Sequence, residues 1–260
     1  MGTGSARCGV FSLDGKLLGT HAVPITLFQP PGSAYADFYQ QSSSDIWQAV
    51  CEATRTAIAE AGVEPADTVG IGFDATCSLV HEYVIITIFV DLNLFWHAVC
   101  LFQCLPHAFT SPHHYHRAVF GVSVAVRATH LCGVFSKVCL GADNEPRGVD
   151  PTCPDDAARN IIVWLDHRAK DQAKRINQGE HSALRTVGGA VSLEMEIPKL
   201  LWLKENFPGK WLGSGGDDAF AKFFDLPDWL VFKATGQDER SLCSTVSLRL
   251  LPWHSCVLQD

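Results

Sequence analysis

The chain has 260 residues, enough for one large domain or two small ones. It is 47% hydrophobic and 18% charged, which excludes global disorder and predicts a substantial core. The formal net charge is −8 and no block of five or more Lys/Arg occurs, so a nucleic-acid interface, which needs a basic stripe, is not expected. The ten cysteines lie at 8, 51, 77, 100, 104, 132, 139, 153, 243 and 256, without a CxxC pair and at irregular spacing. With no secretory signal at the start, they read as free thiols of a cytoplasmic protein.

In chain order, Ala6–Ser12 and Lys16–Ala22 are strand-like, and Leu13-Asp14-Gly15 between them reads as a hairpin turn. The spacing predicts a helix over Asp45–Ala61, capped by Ser44 and stopped by Gly62, with Ile46, Ala49, Val50, Ala53, Ala57 and Ile58 on one face. Val69–Phe73 reads as a short buried strand that delivers Asp74 at its C-terminal end, where ligands bind in open α/β sheets.

Residues 81–137 are a different text. Seven of the eleven histidines fall there among long apolar runs. Val84–Leu105 reaches the length of a membrane span, about 20 residues. Asp91 within it would cost roughly 2.5–3.5 kcal/mol near a bilayer centre, so no membrane association is expected, a tethered variant being the alternative. His113, His114 and His116 could invite zinc, but no second ligand group has fitting spacing, so no metal site is assigned.

Globular sequence then resumes. Asn144–Pro154 is a Pro/Asp-rich loop, Asn160–Leu165 a strand ending at Asp166, Arg168–Asn177 a helix, and Glu196–Asn206 a second helix after a polar stretch. Residues 247–260 close no obvious element.

Three groups could carry chemistry. Gly2-Thr3-Gly4-Ser5 with Arg7 offers small residues and hydroxyls that let backbone N–H groups approach phosphate. Alone it is weak, and a flexible N-terminus is the simpler reading; the hairpin that follows directly gives it weight. Asp74, Ala75 and Thr76 set a carboxylate and small polar residues at a strand end, suited to sugar hydroxyls or merely to capping a turn. Trp164-Leu165-Asp166-His167-Arg168 combines an apolar platform for a sugar's C–H face with directional hydroxyl partners.

Together and in this order, the three groups resemble the FGGY carbohydrate kinases, most closely the pentulose (ribulose-type) branch. Gln41–Trp47, Gly188–Met195, Pro198–Asn206 and Phe224–Leu230 support the resemblance, which covers about residues 2–80 and 138–246. It implies an α/β fold: an RNase H-like N-terminal domain of the actin-like ATPase type, interrupted by 81–137 and followed by a non-homologous tail at 247–260. It implies phosphoryl transfer from MgATP to a terminal sugar hydroxyl, a reaction of positioning and charge neutralisation. By motif, Gly2, Thr3, Gly4, Ser5 and Arg7 would lie near the ATP phosphates. Asp74, Ala75, Thr76, Trp164, Asp166, His167 and Arg168 would line the sugar site, with Lys199 bordering it.

The sequence departs from the family pattern in four ways. The strand and acidic residue expected before the phosphate loop, which would hold Mg²⁺, have no counterpart. Residues 81–137 read as translated intron or as a lineage insertion. The match stops near Val246. No Asp takes the catalytic-base role, which the family keeps in a second domain. The expectation is a kinase-family chain inactive by itself, with a non-catalytic sugar-binding fragment as the alternative.

Overall fold

The computed structural model describes residues 1–75, 136–214 and 216–240. Thr76, Val84–Leu105, the histidine group at 113–116 and the 247–260 tail lie outside the described residues. Among those described, no helix is long and apolar enough to cross a membrane, and Cys8, Cys51, Cys139 and Cys153 are free thiols.

The predicted hairpin forms. β1 (Ser5–Phe11) pairs antiparallel with β2 (Leu17–Pro24), with a register irregularity at Val10/Phe11. This pair lies on α1 (Ser43–Ala61). A Cβ at Gly19 would sit 2.4 Å from the Ala57 carbonyl oxygen, so any larger residue there would push β2 off the helix. The caps of α1 fall slightly off prediction. The N-cap is Ser42 rather than Ser44, its hydroxyl accepting from the Asp45 N–H at 3.2 Å, because Gln40–Gln41 (β3) already occupies the sheet. Gly62 ends the helix at φ +66°, as its position implies. Ser42→Ala should therefore cost about 1 kcal/mol, measured by urea unfolding, whereas Ser44→Ala should cost a few tenths at most.

A second sheet runs β3–β5–β4–β6, all neighbours antiparallel, with β4 Lys137–Leu140, β5 Ile161–Ile162 and β6 Lys222–Asp225. Strand alternation divides the core into two layers. Val138, Leu140 and Ile161 face Ile46 and Ala49 of α1 and Leu226, Trp229 and Leu230 of α4 (Leu226–Thr235). Cys139 and Ile162 face Leu200, Trp202 and Leu203 of α3 (Glu196–Asn206) with Phe207 and Phe220. Lys137 shares the Cys139 face, fully buried, its ammonium 3.0 Å from Glu196 Oε2 and paired with Asp225. α2 (Lys170–Gln178) packs against α3 through Ala173 and Ile176.

Two expected strands are corrected. Val69–Phe73 is irregular, with Val69 and Ile71 43% and 53% exposed. No described strand hydrogen-bonds to it, and without a ladder a short apolar run cannot satisfy its backbone groups by burial. The strand predicted over Asn160–Leu165 shrinks to Ile161–Ile162, since the chain turns at once: the Asp166 N–H closes onto the Val163 carbonyl at 3.0 Å. The helix after it begins at Lys170 instead of Arg168, because Arg168 is drawn into the core.

Candidate functional site

The turn after β5 carries the Trp164–Arg168 group, and the N-terminal loop comes to meet it. The Trp164 indole N–H donates to the Thr3 hydroxyl at 2.9 Å, joining residues 161 positions apart. The Gln41 side-chain amide donates to the Thr3 carbonyl at 2.7 Å. The loop closes on itself through the Gly2 N–H and the Ser5 carbonyl at 3.0 Å, and the Gly4 carbonyl accepts from Ile25 at 3.1 Å. Asp74 is brought to the same end of the molecule: its carbonyl accepts from the Met1 ammonium at 2.6 Å. The Asp74 side chain is exposed, as is Arg7, while Ala75 is buried against the core.

Within the Trp164–Arg168 group the side chains divide. Asp166 is fully buried and both of its oxygens are engaged. Oδ1 accepts from the Arg168 backbone N–H and Nε, both at 2.9 Å; Oδ2 accepts from Arg168 Nη2 at 2.8 Å and from the Tyr39 N–H at 2.6 Å. Arg168 also donates to the Val149 carbonyl at 2.8 Å, and its guanidinium lies 4.6 Å and 4.8 Å from the ring centres of Phe38 and Trp202. The pair thus fixes the backbone of the turn from inside. His167 points the other way, half-exposed, with Nε2 3.0 Å from Glu194 Oε1. Trp164 is partly buried.

Lys199 of α3 lies beneath the turn, fully buried. Its ammonium donates to the Val163 and Trp164 carbonyls, both at 2.9 Å. Burial outweighs the attraction of Asp166 and, with Arg168 and Lys137 repelling, brings the lysine down to a pKa of about 7. Such a group changes charge near neutrality.

Thr3, Trp164 and Lys199 therefore form one connected group, Asp166 and Arg168 brace it, His167 sits on its outer side, and Asp74 is linked to it through Met1. Sequence reasoning missed Gln41 and Glu194 as members of the site, which the fold supplies from β3 and from the stretch before α3. Gln41 stood in the polar run ahead of a predicted helix, where it reads as ordinary cap surroundings. A separate groove of about 410 Å³ lies between the N-terminus of α1, α4 and residues 144–146, floored by Trp47, Trp229 and Phe232; of the described residues in Gly2–Arg7, Asp74–Ala75 and Trp164–Arg168, none lines it. Among the described residues no group of His, Cys, Asp or Glu side chains could hold a metal ion. With the Gly2 N–H taken by the Ser5 carbonyl, the Gly4 and Ser5 N–H groups, the Ser5 hydroxyl and Arg7 are a donor set suited to phosphate oxygens.

No protein-family model matches the chain. Its fold is that of a sugar kinase in part: it aligns with a xyloylose kinase from Brucella ovis at TM-score 0.56 and 15% identity, over 95% of this chain and 35% of that one. In sequence it is 36% identical to a D-ribulokinase of Saccharomyces cerevisiae over 246 residues, and 34% identical to the human FGGY carbohydrate kinase domain-containing protein over 246 residues. Each match covers 95% of this chain, but 25% and 32% of those relatives. The chain is a partial homologue of the FGGY carbohydrate kinases, spanning a quarter to a third of the length of the relatives it matches.

Proposed function

We propose that this chain is the sugar-binding part of an ATP-dependent pentulose kinase, with D-ribulose as the substrate class, built on the family's RNase H-like N-terminal domain and working in the cytoplasm. The observation that carries this reading is the Trp164–Thr3 contact at 2.9 Å, which joins a sugar platform to a phosphate loop across the sequence. The resemblance to D-ribulokinase supports the choice of a ketopentose.

In this reading Trp164 offers its ring to the C–H face of the sugar, Asp74, Thr76 and His167 supply hydroxyl partners, and Ala75, its methyl buried in the core, anchors the segment between them. Asp166, Arg168 and Lys199 hold the turn that presents them. Gly2, Thr3, Gly4, Ser5 and Arg7 receive the phosphates of ATP, which supplies the transferred phosphoryl group when bound. The described residues do not fit a Mg²⁺ site, since no group of His, Cys, Asp or Glu side chains among them could hold the ion. Residues 1–80 and 138–246 make up the kinase domain, joined by Lys137, which the boundary at 138 left out and which belongs to β4; the rest of 81–137 and 247–260 are foreign to it.

Tested alone, the 260 residues should bind without transferring. Calorimetric titration with D-ribulose should give saturable heat, and a coupled ADP-release assay with ribulose and MgATP should give no rate above a sugar-free blank. Turnover above that blank would overturn the non-catalytic assignment; an absence of saturable heat would overturn sugar binding.

A further inference from the structure

Thr3 is held from two directions by donors rooted in the same sheet. Gln41 belongs to β3, paired with Ile161, and is followed directly by the cap of α1, so its backbone is fixed from both sides. Its side chain is 1% exposed and reaches back 38 residues to the Thr3 carbonyl. Trp164 lies two residues beyond β5 and holds the Thr3 hydroxyl. In a trans peptide the N–H points opposite the C=O. Tying the Thr3 carbonyl inward therefore turns the Gly4 N–H outward, at an exposed residue. The inward Gly4 carbonyl, bonded to Ile25, does the same for the Ser5 N–H. Two successive backbone donors, at exposed Gly4 and half-buried Ser5, are thus turned away from the groups that hold the preceding carbonyls, the arrangement that receives an anion.

We propose that Gln41 is a positioning residue for the phosphate loop, and that the Gln41–Thr3–Trp164 chain couples occupancy of the sugar platform to polyphosphate binding at Gly4 and Ser5. The inference rests on the functional reading above and adds to it a residue and a linkage. A sugar stacked on Trp164 restricts the indole, the indole holds the Thr3 hydroxyl, and Gln41 keeps the Thr3 peptide plane from turning over. Polyphosphate then meets donors already oriented, so part of the ordering cost has been met by the sugar. Linkage makes the effect reciprocal.

The test uses the full 260-residue chain, with inorganic tripolyphosphate and D-ribulose as probes. Calorimetry should show tripolyphosphate binding roughly fivefold or more tighter at saturating ribulose than without it, the lower range of measured site-to-site couplings. In Gln41→Leu the ratio of the two affinities should fall to near one. Trp164→Phe, which keeps a ring and removes the N–H, should lower the ratio likewise and serves if Gln41→Leu does not melt cooperatively. In the unaltered chain, ¹⁵N spectra should show the Gly4 and Ser5 amides moving on tripolyphosphate addition, and moving in part with ribulose alone. Equal tripolyphosphate affinity with and without ribulose in the unaltered chain would overturn the coupling and leave sugar binding standing. Coupling that persists in Gln41→Leu would overturn the role of Gln41. An absence of ribulose heat would overturn both this linkage and the functional reading.

Discussion

Asp166→Ala is expected to cost about 3–5 kcal/mol of folding free energy, because it strands the Arg168 guanidinium in the core without its counter-charge. Both side chains are inaccessible to solvent, and the carboxylate accepts four hydrogen bonds, three of them from Arg168 itself. A domain's total stability is about 5–15 kcal/mol, so the variant should be marginal, with a urea midpoint far below that of the unaltered chain. Removing both charges should be milder than removing one. In Asp166→Ala/Arg168→Met the stranded cation is gone, and the methionine can lie against Phe38 and Trp202, where the guanidinium now lies. The double variant should therefore recover a good part of the loss, a coupling that a double-mutant cycle measures directly. A carboxylate that serves only as a sugar ligand predicts the opposite pattern: stability changed by less than about 0.5 kcal/mol and ribulose heat abolished.

That result bears on how such motifs are read. In the sequence, Asp166 and Arg168 look like hydrogen-bonding partners for a substrate, since Asp and Arg are what hydroxyl recognition uses. Their direction is decided by residues far away: Phe38 and Tyr39 before β3, Val149 in the long loop, Trp202 on α3. No local pattern around 164–168 announces that this turn folds its carboxylate inward and leaves His167 outside. Gln41 was hidden for the same reason, its partner being a carbonyl 38 residues earlier.

What was legible is what local physics decides. α1 has a 3.6-residue apolar period, a hydroxyl cap and a glycine stop, and it forms over nearly the predicted span. α3 forms over Glu196–Asn206, as its Leu/Trp run after Pro198 predicts. The hairpin forms because its turn needs no remote partner. Val69–Phe73 misleads because the burial of a strand is a property of its neighbours, and apolar residues at its positions do not supply them. At the level of the site, the Gly2–Ser5 and Trp164 motifs could each be seen in the sequence, but not the bond between them.

Lys199 gives the second large effect, on the pH dependence of stability. Burial brings its folded-state pKa to about 7, against about 10.4 for an unfolded lysine. Between those values the unfolded chain holds a proton that the native chain has released, so stability must rise with pH across the window. From pH 7 to 8.5 this one group should add on the order of 1–2 kcal/mol, allowing for half-protonation at the lower limit. The upper limit matters, since burial pushes the Cys139 thiol up to about 12 and gives the opposite slope once thiols of the unfolded chain ionise. Lys137, also lowered by burial, contributes in the same direction as Lys199, so the informative quantity is a difference between variants. Lys199→Met keeps a flexible apolar stem, removes the titrating group and leaves the Val163 and Trp164 carbonyls without their donor. Its stability at a single pH mixes that loss, about 1–3 kcal/mol per buried group, with relief of the buried charge. Its slope does not. Urea unfolding at pH 7, 7.5, 8 and 8.5 should show the unaltered chain gaining on Lys199→Met by on the order of 1–2 kcal/mol over the series, whereas parallel curves would mean that Lys199 stays charged beneath the turn throughout.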